Sequence, residues 1–189
     1  MAKVVKIALA GEGGQGVQSV AEILTEAANE EGKEALYIPN FGVEQRGGVS
    51  IAFVQISDKE KVGSPKFEKA DIVIALSDRA IRRCAQYVDG NTVFVYDTFI
   101  EGVEDDLPKG AKKVIGIPAI DTAKNELHPR VFNIIIMGAV VRATHVVSEE
   151  RAKQALEDKL GYKFEQDPKL RELNYRALER GMQLVEGQL

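Results

Sequence analysis

An α/β fold follows from three features of this 189-residue sequence. Short apolar runs of strand length alternate with segments whose apolar residues recur at helical spacing, the pattern that builds a mostly parallel sheet. A glycine-rich loop follows the first apolar run directly and opens a helical pattern. After residue 121 only helical patterns or turns remain.

Residues 3–10 (KVVKIALA) predict a buried strand. Val17, Val20, Ile23, Leu24 and Ala27 or Ala28 then recur at helical spacing to about Glu31, with Gly32 as the stop. Residues 34–38 (EALYI) predict a second strand. The next connection, about ten residues, is too short for a crossover helix, so the apolar run 49–57 is expected to pair antiparallel, at the sheet edge or on an extension of it. Lys59 to Ser64 form a polar turn, and Ser64-Pro65 a fixed bend.

Residues 71–76 (DIVIAL) predict a buried strand, after which Ser77 or Asp78 caps a helix to about Tyr87. Residues 92–96 (TVFVY) and 112–117 (KKVIGI) are the last two strands, separated by an acidic, exposed loop at 101–110. Asp121 to Leu127 start a helix or turn. Pro129 opens a long helix, 130–146, so apolar on most faces that it must be buried. Ser148 caps a helix that Gly161 is expected to stop, and Asp167-Pro168 starts an amphipathic helix to about Val185. The sum is a Rossmann-like three-layer α/β/α fold with a mostly parallel sheet, an inserted antiparallel strand and C-terminal helices. No repeat or linker divides residues 1–189, so a single domain is expected.

Composition narrows the function classes. With 44% hydrophobic residues the chain can bury a core without a disulfide or metal staple. Cys84 is the one cysteine, which excludes an internal disulfide and any four-cysteine zinc or iron–sulfur site. A net charge of −4 gives nucleic-acid binding no support. The N-terminus has no signal-peptide pattern, and the apolar run around Ile134–Met137 is too short to span a bilayer, so a cytoplasmic location is expected.

Gly11, Gly13 and Gly16, with Gly14 and Gln15 between them, match G-x-G-x-x-G at a strand–helix junction. Such glycines allow a tight turn and close backbone approach, and the helix N-terminus offers N–H groups to an anion. Two readings stand side by side: a phosphate-bearing ligand, or a tight turn that binds nothing. A dinucleotide is disfavoured because the second strand ends Leu36-Tyr37-Ile38-Pro39-Asn40, without the carboxylate that would hold a ribose. The second glycine segment, residues 41–48 (FGVEQRGG), sets Glu44 and Arg46 among Gly42, Gly47 and Gly48. An arginine on such a loop suits a phosphate or carboxylate; a solvated Glu–Arg pair on a hairpin is the plain alternative.

Cys84, beside Arg82 and Arg83, reads as a semi-buried structural residue. His128 and His145 have no visible catalytic partner. Asn133 needs a hydrogen-bond partner if buried, and Asp105-Asp106 reads as a solvated loop.

GEGGQG after the first strand followed by FGVEQRGG before the third resembles the γ subunit of 2-oxoacid:ferredoxin oxidoreductases. Ser64-Pro65, DIVIALS at 71–77, Asn133–Ala139 and LNYRALERGM at 173–182 extend the resemblance over essentially the whole chain. A similar domain is fused within the single-chain pyruvate enzyme and forms part of the indolepyruvate enzyme. Members often carry Tyr-Gly-Pro-Glu where this chain has Phe41-Gly42-Val43-Glu44, which removes a hydroxyl and loosens the loop.

The resemblance implies a subunit of a multi-subunit complex that oxidatively decarboxylates a 2-oxoacid such as pyruvate or 2-oxoglutarate, passing the acyl group to coenzyme A and electrons to ferredoxin. Thiamine diphosphate, magnesium and iron–sulfur clusters are then expected in α, β and, where present, ferredoxin-like δ subunits. This chain is expected to be inactive alone. Gly11, Gly13, Gly14, Gln15, Gly16, Glu44, Arg46, Gly47 and Gly48 become candidate contacts to a coenzyme A shared at a subunit interface. Gln15 is expected to meet the pantetheine arm or a neighbouring subunit, and the isolated chain to be prone to self-association. Purely interfacial loops are the competing reading. A free-standing NAD- or flavin-dependent oxidoreductase is the runner-up, and a non-enzymatic nucleotide-sensing module the third possibility.

Overall fold

The computed structural model describes residues 4–41, 48–59, 61–64 and 66–189. Strand β1 (Val5–Gly11) alternates between two cores, Ile7 and Leu9 facing one and Ala8 and Ala10 the other. Helix α1 (Val17–Glu30) buries Val17, Val20, Ile23, Leu24, Ala27 and Ala28, the face predicted by spacing.

Strands β2 (Glu34–Asn40) and β3 (Ser50–Ser57) are antiparallel, with Asn40 opposite Ile51. β3 is also antiparallel to β1, with Gly11 opposite Ser50. Strands β4 (Ile72–Ala75), β5 (Val93–Asp97) and β6 (Lys113–Ile117) add in parallel, giving a six-stranded sheet in the order β2-β3-β1-β4-β5-β6. The antiparallel strand is as expected, but it lies inside the sheet and not at its edge. β3 is apolar on both faces and buried from Ile51 to Ser57, which requires neighbours on both sides. β2 takes the edge, where Pro39, lacking an N–H for a ladder, is tolerated.

Ser77 caps α2 (Asp78–Cys84) by accepting the Ala80 N–H at 3.1 Å. Pro118 precedes α3 (Ala119–Asn125) without capping it. Buried Asp97 does so from the end of β5, accepting the N–H groups of Ile120 and Phe99 at 2.8 Å each. Burial holds the Asp97 carboxyl above its usual range in spite of those two bonds.

A 3₁₀ turn, Pro129–Val131, leads into α4 (Phe132–Thr144), buried without a break from Ile134 to Val141. Helices α5 (Glu149–Gln166) and α6 (Pro168–Glu186) follow. Gly161 does not stop α5: Phe164, beyond it, is buried, and that packing outweighs the roughly 1 kcal/mol penalty of a helical glycine.

α1, α3, α4, α5 and α6 cover one face of the sheet. The other carries α2 with Phe67, Val88 and Val103, the last anchoring the acidic 101–110 loop. No described helix is long and apolar enough to cross a membrane.

Candidate functional site

The glycine loop leaves the C-terminal end of β1, where the sheet changes direction. β1 feeds α1 on one face and its neighbour β4 feeds α2 on the other. The crevice between such strand ends is the usual ligand position in open α/β sheets. Here the chain bridges it twice.

The first bridge is Gln15. Its Oε1 accepts the Glu12 N–H and its Nε2 donates to the Leu76 carbonyl at the end of β4, both at 2.7 Å. The amide expected to reach a ligand or partner thus braces the loop from within. The second bridge is Glu12. Arg79 donates through Nε and Nη2 to its two carboxylate oxygens at 3.0 and 2.9 Å. That pairing, with a contribution from Ser77, holds the Glu12 carboxyl below its usual range.

Gly14 and Gly16 adopt left-handed backbone with φ of 91° and 74°, conformations L side chains resist. A Cβ on Gly16 would also lie 2.8 Å from that of Asn133, so Asn133 meets the loop by packing. The crest is different: Gly13 and Gly14 are exposed, and a Cβ on either would find nothing within 4 Å. The first turn of α1 carries no side-chain cap. The site therefore combines a braced base, an open crest and unclaimed helix N–H groups.

Glu44, Arg46 and Gly47, with Gly42 and Val43, lie outside the described residues. Their flanks do not. Register places Asn40 and Ser50 at the glycine-loop end of the sheet, so Phe41, 68% exposed, and half-buried Gly48 adjoin the same rim. Arg83, one helical turn after Arg79, donates to the Val49 carbonyl at 3.0 Å. One helix, α2, thus ties the first glycine loop, through Glu12, and the start of the β3 segment, through Val49. Sequence reasoning missed Glu12, Arg79 and Arg83. The available signal was an acid inside a glycine loop, which calls for a counter-charge, and two arginines at i, i+4.

Burial pushes the Cys84 thiol up to about 12, so it is a packing group and not a nucleophile. His128 accepts the Arg130 N–H through Nδ1 and caps a turn. Asp106 pairs with Arg82 at 2.9 Å. Among the described residues no cluster of His, Cys, Asp or Glu could hold a metal ion. A separate cleft of about 500 Å³, lined by Lys6, Gln55, Lys61, Asp71 and Asp89, lies toward the opposite end of the sheet.

The topology also bears on a dinucleotide. Beyond β1 on that side comes antiparallel β3, with β2 one strand further out. Among the described residues no parallel second strand stands directly beside β1 on that side to present a ribose-binding carboxylate.

A family model described as pyruvate ferredoxin/flavodoxin oxidoreductase matches residues 6–184. A ketoisovalerate oxidoreductase subunit of Methanothermobacter thermautotrophicus is 31% identical over 190 residues, covering 98% of this chain and 38% of the relative. The chain therefore spans little more than a third of that relative's length. The γ subunit of a keto/oxoacid ferredoxin oxidoreductase from Geobacter sulfurreducens superposes with a TM-score of 0.77 at 30% identity, over 98% of both chains. A 2-oxoglutarate:ferredoxin oxidoreductase from Magnetococcus marinus, solved with 2-oxoglutarate, coenzyme A and succinyl-CoA bound, gives 0.87 at 27% identity, over 99% of this chain and 32% of the other.

Proposed function

Because the chain belongs to the pyruvate ferredoxin/flavodoxin oxidoreductase family, we propose that it is the γ-type subunit of a 2-oxoacid:ferredoxin oxidoreductase, a single domain lining part of the coenzyme A channel. The open crest at Gly13 and Gly14, above a braced base and at the same end of the sheet as Phe41 and Gly48, carries this reading. Backbone N–H groups there suit a phosphate or the amides of a pantetheine arm. The enzyme from Magnetococcus marinus, with coenzyme A bound and a match to 99% of this chain, supports the choice of ligand. Coenzyme A supplies the thiol that accepts the acyl group. This chain's part is to bind and orient it and to keep water out.

Thiamine diphosphate, magnesium and iron–sulfur clusters belong, in this reading, to the α, β and ferredoxin-like δ subunits, and ferredoxin takes the electrons. One cysteine, buried and with its thiol near 12, is no cluster ligand. Phe41 and Phe99, 68% and 55% exposed at the glycine-loop end of the sheet, suit burial against those subunits, and their exposure favours self-association of the isolated chain. The relatives are named for different oxoacids at similar identity, which favours substrate choice residing in the partner subunits. A cytoplasmic location fits such a complex.

The test is an Arg46→Ala variant in the co-expressed complex. A coenzyme A KM raised roughly tenfold with kcat nearly unchanged is expected for a lost phosphate contact. An unchanged KM would remove Arg46 from the channel and leave an interfacial role for its segment.

A further inference from the structure

We infer that Arg79 is a charge-balancing residue of the glycine-loop site: by pairing with Glu12 it prevents an anionic ligand at the crest from meeting a bare carboxylate. This rests on the reading of the crest as a coenzyme A contact.

Glu12 is the one acidic residue in the loop 11–16, and the next residue is exposed Gly13. A carboxylate beside approaching phosphates opposes their binding. Arg79 reaches across from α2 and engages both Glu12 oxygens. Two simpler roles explain the pair poorly. With side chains 28% and 46% exposed, the pair adds little to stability. Nor is it needed to shape the loop, because the Gln15 amide already fixes the Glu12 N–H and ties the loop to Leu76. What the Glu12–Arg79 pair itself contributes is a positive charge held against the Glu12 carboxylate. The same rim repeats the device: Asp78 and Asp106 both pair with Arg82, at 2.6 and 2.9 Å.

Charge balance predicts a sign pattern that a structural role does not. In the assembled complex, Arg79→Gln should raise the coenzyme A KM roughly tenfold with kcat retained, and the defect should shrink as salt is added. Arg79→Lys keeps the charge, and the double variant Glu12→Gln/Arg79→Gln removes both; each should return KM to within about twofold of the parent. Glu12→Gln alone, which removes the carboxylate, should lower KM about threefold at low ionic strength. That arm decides the matter even if Arg79→Gln does not assemble.

A double variant as impaired as Arg79→Gln, or a defect indifferent to salt, would overturn the inference. So would an unmoved KM in Arg79→Gln and Glu12→Gln beside a raised KM in Arg46→Ala, with the coenzyme A reading left standing. If KM moves in none of these variants, both readings fall.

Discussion

Gly138 and Gly181 lie where two helices cross in the interior, Gly13 and Gly14 lie on the exposed rim, and the two pairs use the missing Cβ in opposite ways. At the crossing of α4 and α6, a Cβ on Gly138 would overlap the Leu178 carbonyl oxygen, and one on Gly181 the Ile135 carbonyl oxygen. The glycines let two backbones touch, so α4 can be buried along its length between the sheet and α6. On the rim nothing fills the space a Cβ would take. A glycine's role follows from what a Cβ would meet: backbone at the crossing, open space at the crest.

The largest loss of stability is expected at the crossing. Gly181→Ala forces α6 away from α4, because the obstacle is backbone and cannot rotate aside. A loss of about 3 kcal/mol is expected, seen as a fall in Tm of roughly 10 °C for a chain of this size. Thermal unfolding of the isolated chain measures it. A loss under about 1 kcal/mol would mean that the helices cross less closely.

Gly161 sits within α5, where a Cβ would find its nearest neighbour, a Glu157 carboxylate oxygen, at 3.8 Å. Neither close approach nor openness toward a ligand explains it, so only helix propensity is at stake. Gly161→Ala should stabilise the chain by about 0.5–1 kcal/mol in the same assay.

Gly161 also marks a limit of sequence reading. It looks like a helix stop, and what carries α5 past it is the burial of Phe164, a tertiary fact. β3 is similar. A short connection after β2 requires an antiparallel strand, but only burial on both faces explains its insertion beside β1. The strands, the α1 face, the Ser77 and Ser148 caps and the buried α4 were legible because each depends on local pattern. In the site, the glycine loop was legible as a strand–helix turn, while the role of Gln15 was not. Its Nε2 meets the carbonyl of Leu76, 61 residues on, a pairing that exists only once β4 lies beside β1. Arg79 escaped for the same reason, being 67 residues from Glu12.

The smallest effect on stability is expected at the crest, and it is the most informative. Gly13→Ala introduces a methyl group into open space, at a residue outside the left-handed region. The isolated chain should melt within about 0.5 kcal/mol of the parent. In the assembled complex the same methyl group would stand where a ligand's phosphate or amide must approach the backbone, so the coenzyme A KM should rise roughly threefold or more with kcat retained. Unchanged stability with a raised KM would set the crest apart from the crossing as a binding surface. Unchanged stability with an unchanged KM would make the crest merely exposed and leave the second glycine segment to carry the ligand contact.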